Sequence, residues 1–128
     1  MFSKASLSKL STCDQRLQDV FLKVIDSYDC TILAGHRGKA AQNKAFDEGK
    51  SKLRWPVSKH NDKPSMAIDV APYPIDWDNI NGFYHFSGYV LGIAHTMGIT
   101  LRWGGDWDQD NDLTDQSFMD LVHFELHH

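Results

Sequence analysis

An α+β fold, a small antiparallel sheet with flanking helices, is what the 128-residue sequence predicts. Three features carry that expectation. Apolar residues recur at helical spacing in well-separated stretches, four short runs have the alternation or β-branched content of strands, and the two kinds of segment lack the regular strand–helix–strand rhythm of a parallel sheet. The length suits one domain spanning 1–128, and a composition of 41% hydrophobic and 23% charged residues is that of a globular chain.

Residues 1–11 are expected to fray. Ser6-Leu-Ser-Lys9 matches a serine-nucleophile signature, but no Lys-Thr-Gly follows it, so it is set aside. Thr12-Cys13-Asp14-Gln15 has the form of a capping box, and Leu17, Val20, Phe21, Val24 and Ile25 then mark a helix over 12–27. Cys30-Thr-Ile-Leu-Ala34 is a β-prone run ended by Gly35, after which an Ala-rich helix runs to Glu48 and leaves Arg37 at the junction. A basic loop broken by Pro56 and Pro64 precedes the alternating strand 66–71. Phe83, Phe86, Val90, Leu91, Ala94 and Met97 then mark a long helix capped by Gly98. A strand at 99–103, a loop at 104–115 and a strand at 121–126 complete the chain. In the last, Val122, Phe124 and Leu126 share one face, and His123 and Glu125 the other.

Several chemistries are excluded by the sequence. No Gly-rich phosphate loop, HExxH, CxxC or GxSxG is present, and Cys13 and Cys30 have no partners at zinc-ligand spacing, so they are expected to be free thiols. No apolar stretch approaches the ~20 residues of a membrane span, and residues 1–11 lack the continuous apolar core expected of a secretory signal. Residues 1–63 hold twelve of the thirteen Lys and Arg against seven acids, whereas 64–128 hold Arg102 alone against ten. Such polarity can mark an electrostatic footprint, yet a pI near 5.9 and the lack of any Lys/Arg run argue against nucleic acid as a partner.

The informative residues lie on the two strands flanking the long helix. Asp69 and His123 both fall opposite the apolar face, and His60 precedes the first of these strands. A His/Asp/His set of this kind holds zinc and leaves a fourth position for water. Isolated histidines in such positions also serve as surface or hydrogen-bonded structural groups. Asp120, three residues before His123, stands where a general base would take a proton from activated water, and equally where a turn aspartate would open a strand.

These residues carry a family resemblance. Ser58-Lys-His60 with Ala67-Ile-Asp69 resembles the first zinc motif of the zinc D-Ala-D-Ala carboxypeptidase and L-alanyl-D-glutamate peptidase family, and Asp120-Leu-Val-His123 resembles its second. Gly35-His-Arg37 with Gln42 and Gly49-Lys-Ser51 resembles a further segment, and Trp103-Gly-Gly-Asp-Trp107 is similar to the phage-endolysin branch. The spacing from His60 to Asp69 is longer than is common in the family, and Ser65 replaces a usual Gly.

The resemblance implies a hedgehog/DD-peptidase-like fold, with one zinc on His60, Asp69 and His123. It implies Asp120 as base, Arg37 as the cation facing substrate carboxylate or oxyanion, and Gln42, Ser58 and Asp106 as residues shaping the substrate site. The implied reaction is hydrolysis of the L-alanyl-D-glutamate bond of peptidoglycan stem peptides. The alternatives are D-Ala-D-Ala carboxypeptidase action or a catalytically silent wall-binding zinc module. A monomer made in the host bacterial cytoplasm, reaching the wall after another protein breaches the membrane, is expected. The alternating acids over 106–115 imitate a calcium loop without its Gly and closing Glu, so a solvated loop is expected in place of an EF-hand, with a weak regulatory calcium site as the alternative. The basic residues over 39–63 flank Arg37 and His60 and are expected to face the anionic wall.

Overall fold

The computed structural model describes residues 1–112 and 119–127. Among the described residues, four helices and four strands follow in the order α1 (Lys4–Leu10), α2 (Gln15–Val24), β1 (Cys30–Ala34), α3 (Lys39–Asp47), β2 (Ala67–Pro72), α4 (Ile80–Thr96), β3 (Leu101–Gly104) and β4 (Asp120–Leu126), with a 3-10 turn at Lys59–Asn61. The strands form one antiparallel sheet in the order β1-β2-β4-β3. The expected α+β class is therefore observed.

Helices α2 and α4 cover one face of the sheet. Leu17, Val20, Phe21 and Val24 of α2 meet Phe86, Val90 and Ala94 of α4 over Ile32, Ile68, Val70, Phe124 and Leu126 of the strands. Burial of such side chains contributes about 1.5–3 kcal/mol each, which makes this layer the main source of stability. Phe21, Phe86 and Phe124 are in edge contact at its centre, with ring centroids 5.6 and 6.3 Å apart. Cys13 and Cys30 are free and buried, and burial pushes their thiols up to about 11 and 12, so both pack as small apolar groups.

Two expectations are corrected. The N-terminal segment does not fray: Ser3 caps α1, Phe2 and Leu10 enter the core, and the buried Ser6 hydroxyl accepts a hydrogen bond from the Ile32 amide. Asp14, not Thr12, caps α2, because its carboxylate accepts the Arg16 amide. The strand face opposite the apolar core forms the floor of a cleft. Asp69, His123 and Glu125 are all buried, because the segment between α3 and β2 folds over them together with β3 and Trp107. Among the described residues, no helix is long and apolar enough to cross a membrane.

Candidate metal centre

Strand register brings the first two residues of the site together. Asp69 of β2 pairs directly with His123 of β4, so their side chains rise side by side from one face. Asp69 also pairs with Ala34 at the end of β1, which delivers Gly35 and Arg37 to the same place. At Gly35 a Cβ would lie 2.4 Å from the Lys9 carbonyl oxygen, so only glycine permits this approach of the β1 end to the α1 end.

His60 arrives from the 3-10 turn. The Ser58 hydroxyl accepts the His60 amide while the Asn61 side chain accepts the Ser58 amide, a reciprocal cap that fixes the turn. The Arg37 amide donates to the His60 carbonyl at 2.7 Å, tying the turn to the β1–α3 junction.

The histidine tautomers follow from their outer partners. Nδ1 of His60 lies 2.8 Å from the Gly35 carbonyl oxygen, which can only accept, so this nitrogen carries the proton and Nε2 presents a lone pair. Nε2 of His123 lies 2.8 Å from Oε1 of Glu125 and donates to it, leaving Nδ1 bare. The two bare nitrogens stand 3.2 Å apart, at 3.2 and 3.3 Å from Oδ1 of Asp69. With both rings neutral, three lone pairs converge with no hydrogen among them, and only a cation satisfies all three. Donors at about 2.0–2.2 Å from a tetrahedral ion lie about 3.3–3.6 Å from one another, so the spacing fits.

The electrostatics agree with that reading. Burial disfavours charge on His123, yet its hydrogen bonds to Asp69 and Glu125 outweigh burial and push it up to about 9, so the site attracts positive charge and is compatible with a metal ion in place of that proton. Burial would raise Asp69, but the neighbouring His60 and His123 hold it well below the usual carboxylate range. Glu125 also resists the effect of burial, held down to about 2 by His123 and Arg102.

A cleft of about 500 Å³ opens over these groups, lined by Arg37, Ser58, Lys59, His60, Arg102, Asp120 and His123 among others. Asp120 is half-buried at the start of β4, where Gly104 lets β3 pass so close that a Cβ would lie 2.1 Å from the Asp120 carbonyl oxygen. Burial and the charge of Asp69 push Asp120 up to about 6, against the pull of His123, His60 and Arg37. That value suits a group that must both take and return a proton near neutrality. Arg37 donates from Nη2 to Oδ2 of Asp69 at 2.9 Å and from Nη1 to Gln42 at 3.2 Å, which fixes the guanidinium at the cleft wall.

Two expected substrate-site residues stand elsewhere. Gln42 is fully buried and braces the site from behind, accepting from Arg37 and Asn61 and donating to the Leu53 carbonyl and Ser51. Asp106 lines a separate cavity with Leu91, His95 and Trp103. Burial raises its carboxyl above the usual range. Asp106, Asp108 and Asp110 each offer an oxygen within 4.8 Å of the others, and Oδ1 of Asp106 is buried without a hydrogen-bond partner among the described residues. Asp115, the far end of the expected calcium loop, lies outside the described residues.

Sequence reasoning did not assign Glu125, Lys59 or Arg102. Glu125 joins His123 to both cations: Oε2 accepts from Arg102 Nη2 at 2.8 Å and lies 3.2 Å from Lys59 Nζ. The signal for Glu125 was its position two residues beyond His123, on the same strand face.

Comparison with known proteins places this geometry in context. The family description "Phage L-alanyl-D-glutamate peptidase" matches residues 1–127. The L-alanyl-D-glutamate peptidase of Escherichia phage T5 is 33% identical over 120 residues, covering 90% of this chain and 87% of that protein. The crystal structure of the Serratia marcescens L-Ala D-Glu endopeptidase ChiX superposes with a TM-score of 0.76 at 23% identity, covering 98% of this chain and 89% of that one.

Proposed function

The chain belongs to the phage L-alanyl-D-glutamate peptidase family, and from that premise we propose that it hydrolyses the L-alanyl-D-glutamate bond of peptidoglycan stem peptides as a zinc endopeptidase. The observation that carries the proposal is the convergence of three atoms able to ligate a metal, from His60, Asp69 and His123, in a cleft shared with Asp120. Two imidazoles and one carboxylate are a donor set suited to zinc, with a position left over for water. When bound, zinc supplies Lewis-acid activation of that water and of the scissile carbonyl.

The chain's own residues do the rest. Asp120 accepts the proton of the attacking water and returns it to the nitrogen of D-Glu as the C–N bond breaks, giving a free carboxylate on L-Ala and a free amine on D-Glu. Arg37, held by Asp69 and Gln42, faces the carbonyl oxygen as it gains negative charge. Glu125 keeps His123 in the tautomer that presents Nδ1. Ser58 shapes the cleft wall through the cap of the 3-10 turn. The unpartnered Asp106 oxygen beside Asp108 and Asp110 supports the additional reading of a weak calcium site, which a calcium titration of activity would test. The enzyme acts on the wall as a monomer after another protein has opened the membrane.

The test is digestion of purified peptidoglycan by zinc-loaded wild type and Asp120→Ala. Wild type is expected to generate free amines on D-Glu and the variant almost none. Release of D-Ala would select carboxypeptidase action instead, and no release by either would select a silent binding module.

A further inference from the structure

The acidic half of the chain contains one basic residue, and the fold sends it into the cleft. Arg102 of β3 lines the same cavity as His60, His123 and Asp120, with its guanidinium 5.5 Å over the Trp107 ring. Lys59, beside His60 in the 3-10 turn, enters from the other half of the sequence. Both cations meet one carboxylate oxygen, Oε2 of Glu125, at 2.8 and 3.2 Å. The other Glu125 oxygen accepts from a histidine that is neutral when it ligates a metal. Two positive charges therefore share a single negative one, and both side chains keep 32% of their surface exposed. Lys59 Nζ also donates to the Leu126 carbonyl and Arg102 donates to Oε2 from Nε as well as Nη2, so both head groups are held in place at the cleft and their summed charge exceeds that of the one carboxylate they share.

The substrate supplies a matching anion. In the bond to be cleaved, the nitrogen belongs to D-Glu, whose Cα bears a free carboxylate because the chain continues through the γ-carboxyl. That carboxylate is separated from the scissile nitrogen by one carbon, so its recognition group must lie within a few ångströms of the metal ligands. Lys59 and Arg102 satisfy this through Glu125, which touches His123 directly. The other cations fit less well. Arg37 already faces the scissile carbonyl oxygen in the proposed reaction, and the Lys50 side chain is 75% exposed and paired with Glu48.

Resting on the proposed bond specificity, we propose that Lys59 and Arg102 form the subsite that reads the free α-carboxylate of the D-glutamyl residue on the leaving side of the scissile bond. The enzyme then distinguishes stems with a free D-Glu α-carboxylate from stems in which that group is amidated. Glu125 pre-positions the two cations and keeps them from repelling one another before substrate arrives.

The experiment uses two synthetic stem peptides that differ only at that group, carboxylate or carboxamide. Each is cleaved by the zinc-loaded full chain, as wild type, Lys59→Gln and Arg102→Gln, with the metal content of every preparation measured and rates expressed per metal-loaded protein. Wild type is expected to favour the carboxylate by roughly 10- to 100-fold in kcat/KM, the range of a charge-assisted hydrogen bond. In each variant that ratio falls toward one, through a raised KM for the carboxylate peptide. Equal cleavage of both peptides by wild type overturns the proposal. So does an equal loss on both peptides in both variants, which would assign the cations to supporting Glu125 alone. Cleavage of neither peptide by metal-loaded wild type would refute the bond specificity itself and this subsite with it.

Discussion

Nε2 of His123 and Oε1 of Glu125, two residues apart on β4 and both lining the cleft, are joined by a 2.8 Å hydrogen bond. The bond decides which imidazole nitrogen is bare, and so whether His123 can act as a ligand at all. Carboxylate partners of this kind typically change metal affinity by about 10- to 100-fold when removed. Glu125→Ala is therefore expected to weaken zinc binding by that factor in competition with a chromophoric chelator. Glu125→Gln, whose amide oxygen still accepts the same hydrogen bond, recovers most of the affinity; an equal loss in both variants would refute the tautomer argument.

Asp120 is assigned the proton transfer and no metal bond. Asp120→Asn is expected to lower kcat by about 10²–10⁴ while zinc content stays at wild-type level. Its carboxyl is pushed up to about 6, so kcat/KM should rise with pH as the carboxylate forms, along an acid limb at or below pH 6 because a bound cation favours the charged form. Persistence of that limb unchanged in the variant would assign it to another group.

The metal-free protein should lose stability in alkali. Folded His123 titrates at about 9 against an ordinary 6.5, so its contribution is complete below pH 6.5 and is lost as the pH rises through 9. Glu125, lowered from 4.5 to about 2, contributes above pH 4.5 and loses that contribution as the pH falls through 2. Asp120, raised from 3.8 to about 6, adds a further loss as the pH rises between those values. Thermal unfolding with chelator present should therefore show a midpoint that falls from pH 6.5 to pH 9. Added zinc should remove that fall, since the ion replaces the proton; a flat curve without metal would contradict the account.

Gln42 ties α3 to the loop over the site. Gln42→Ala leaves the Leu53 carbonyl without the 2.6 Å bond from its amide and frees Arg37 at one nitrogen. The expected cost is about 1–3 kcal/mol in urea unfolding, with a loss of kcat from the slackened guanidinium. A change in stability without one in kcat would mean that Asp69 alone holds Arg37 in place.

Local period is the part of this fold that the sequence makes legible. Alternation in β2 and β4 places Asp69 and His123 on one strand face, and the register Asp69↔His123 converts that into contact. The burial of that face is not legible, because it depends on segments distant in sequence folding over it. Gln42 illustrates the same point: its partners at Arg37, Ser51, Leu53 and Asn61 come from separate places in the chain. The first helix escapes a reading by period because Leu10 and the preceding Phe2 are too few apolar anchors to show one, and the buried Ser6 disguises the inner face.

The central claim is tested most directly on a defined stem peptide containing one L-alanyl-D-glutamate bond, with products resolved by mass spectrometry as zinc is returned to chelated protein. The account predicts no cleavage without metal, and a single new amine on D-Glu whose rate of appearance saturates at about one zinc per chain. Full activity in the chelated protein, or cleavage at any other bond, would contradict it.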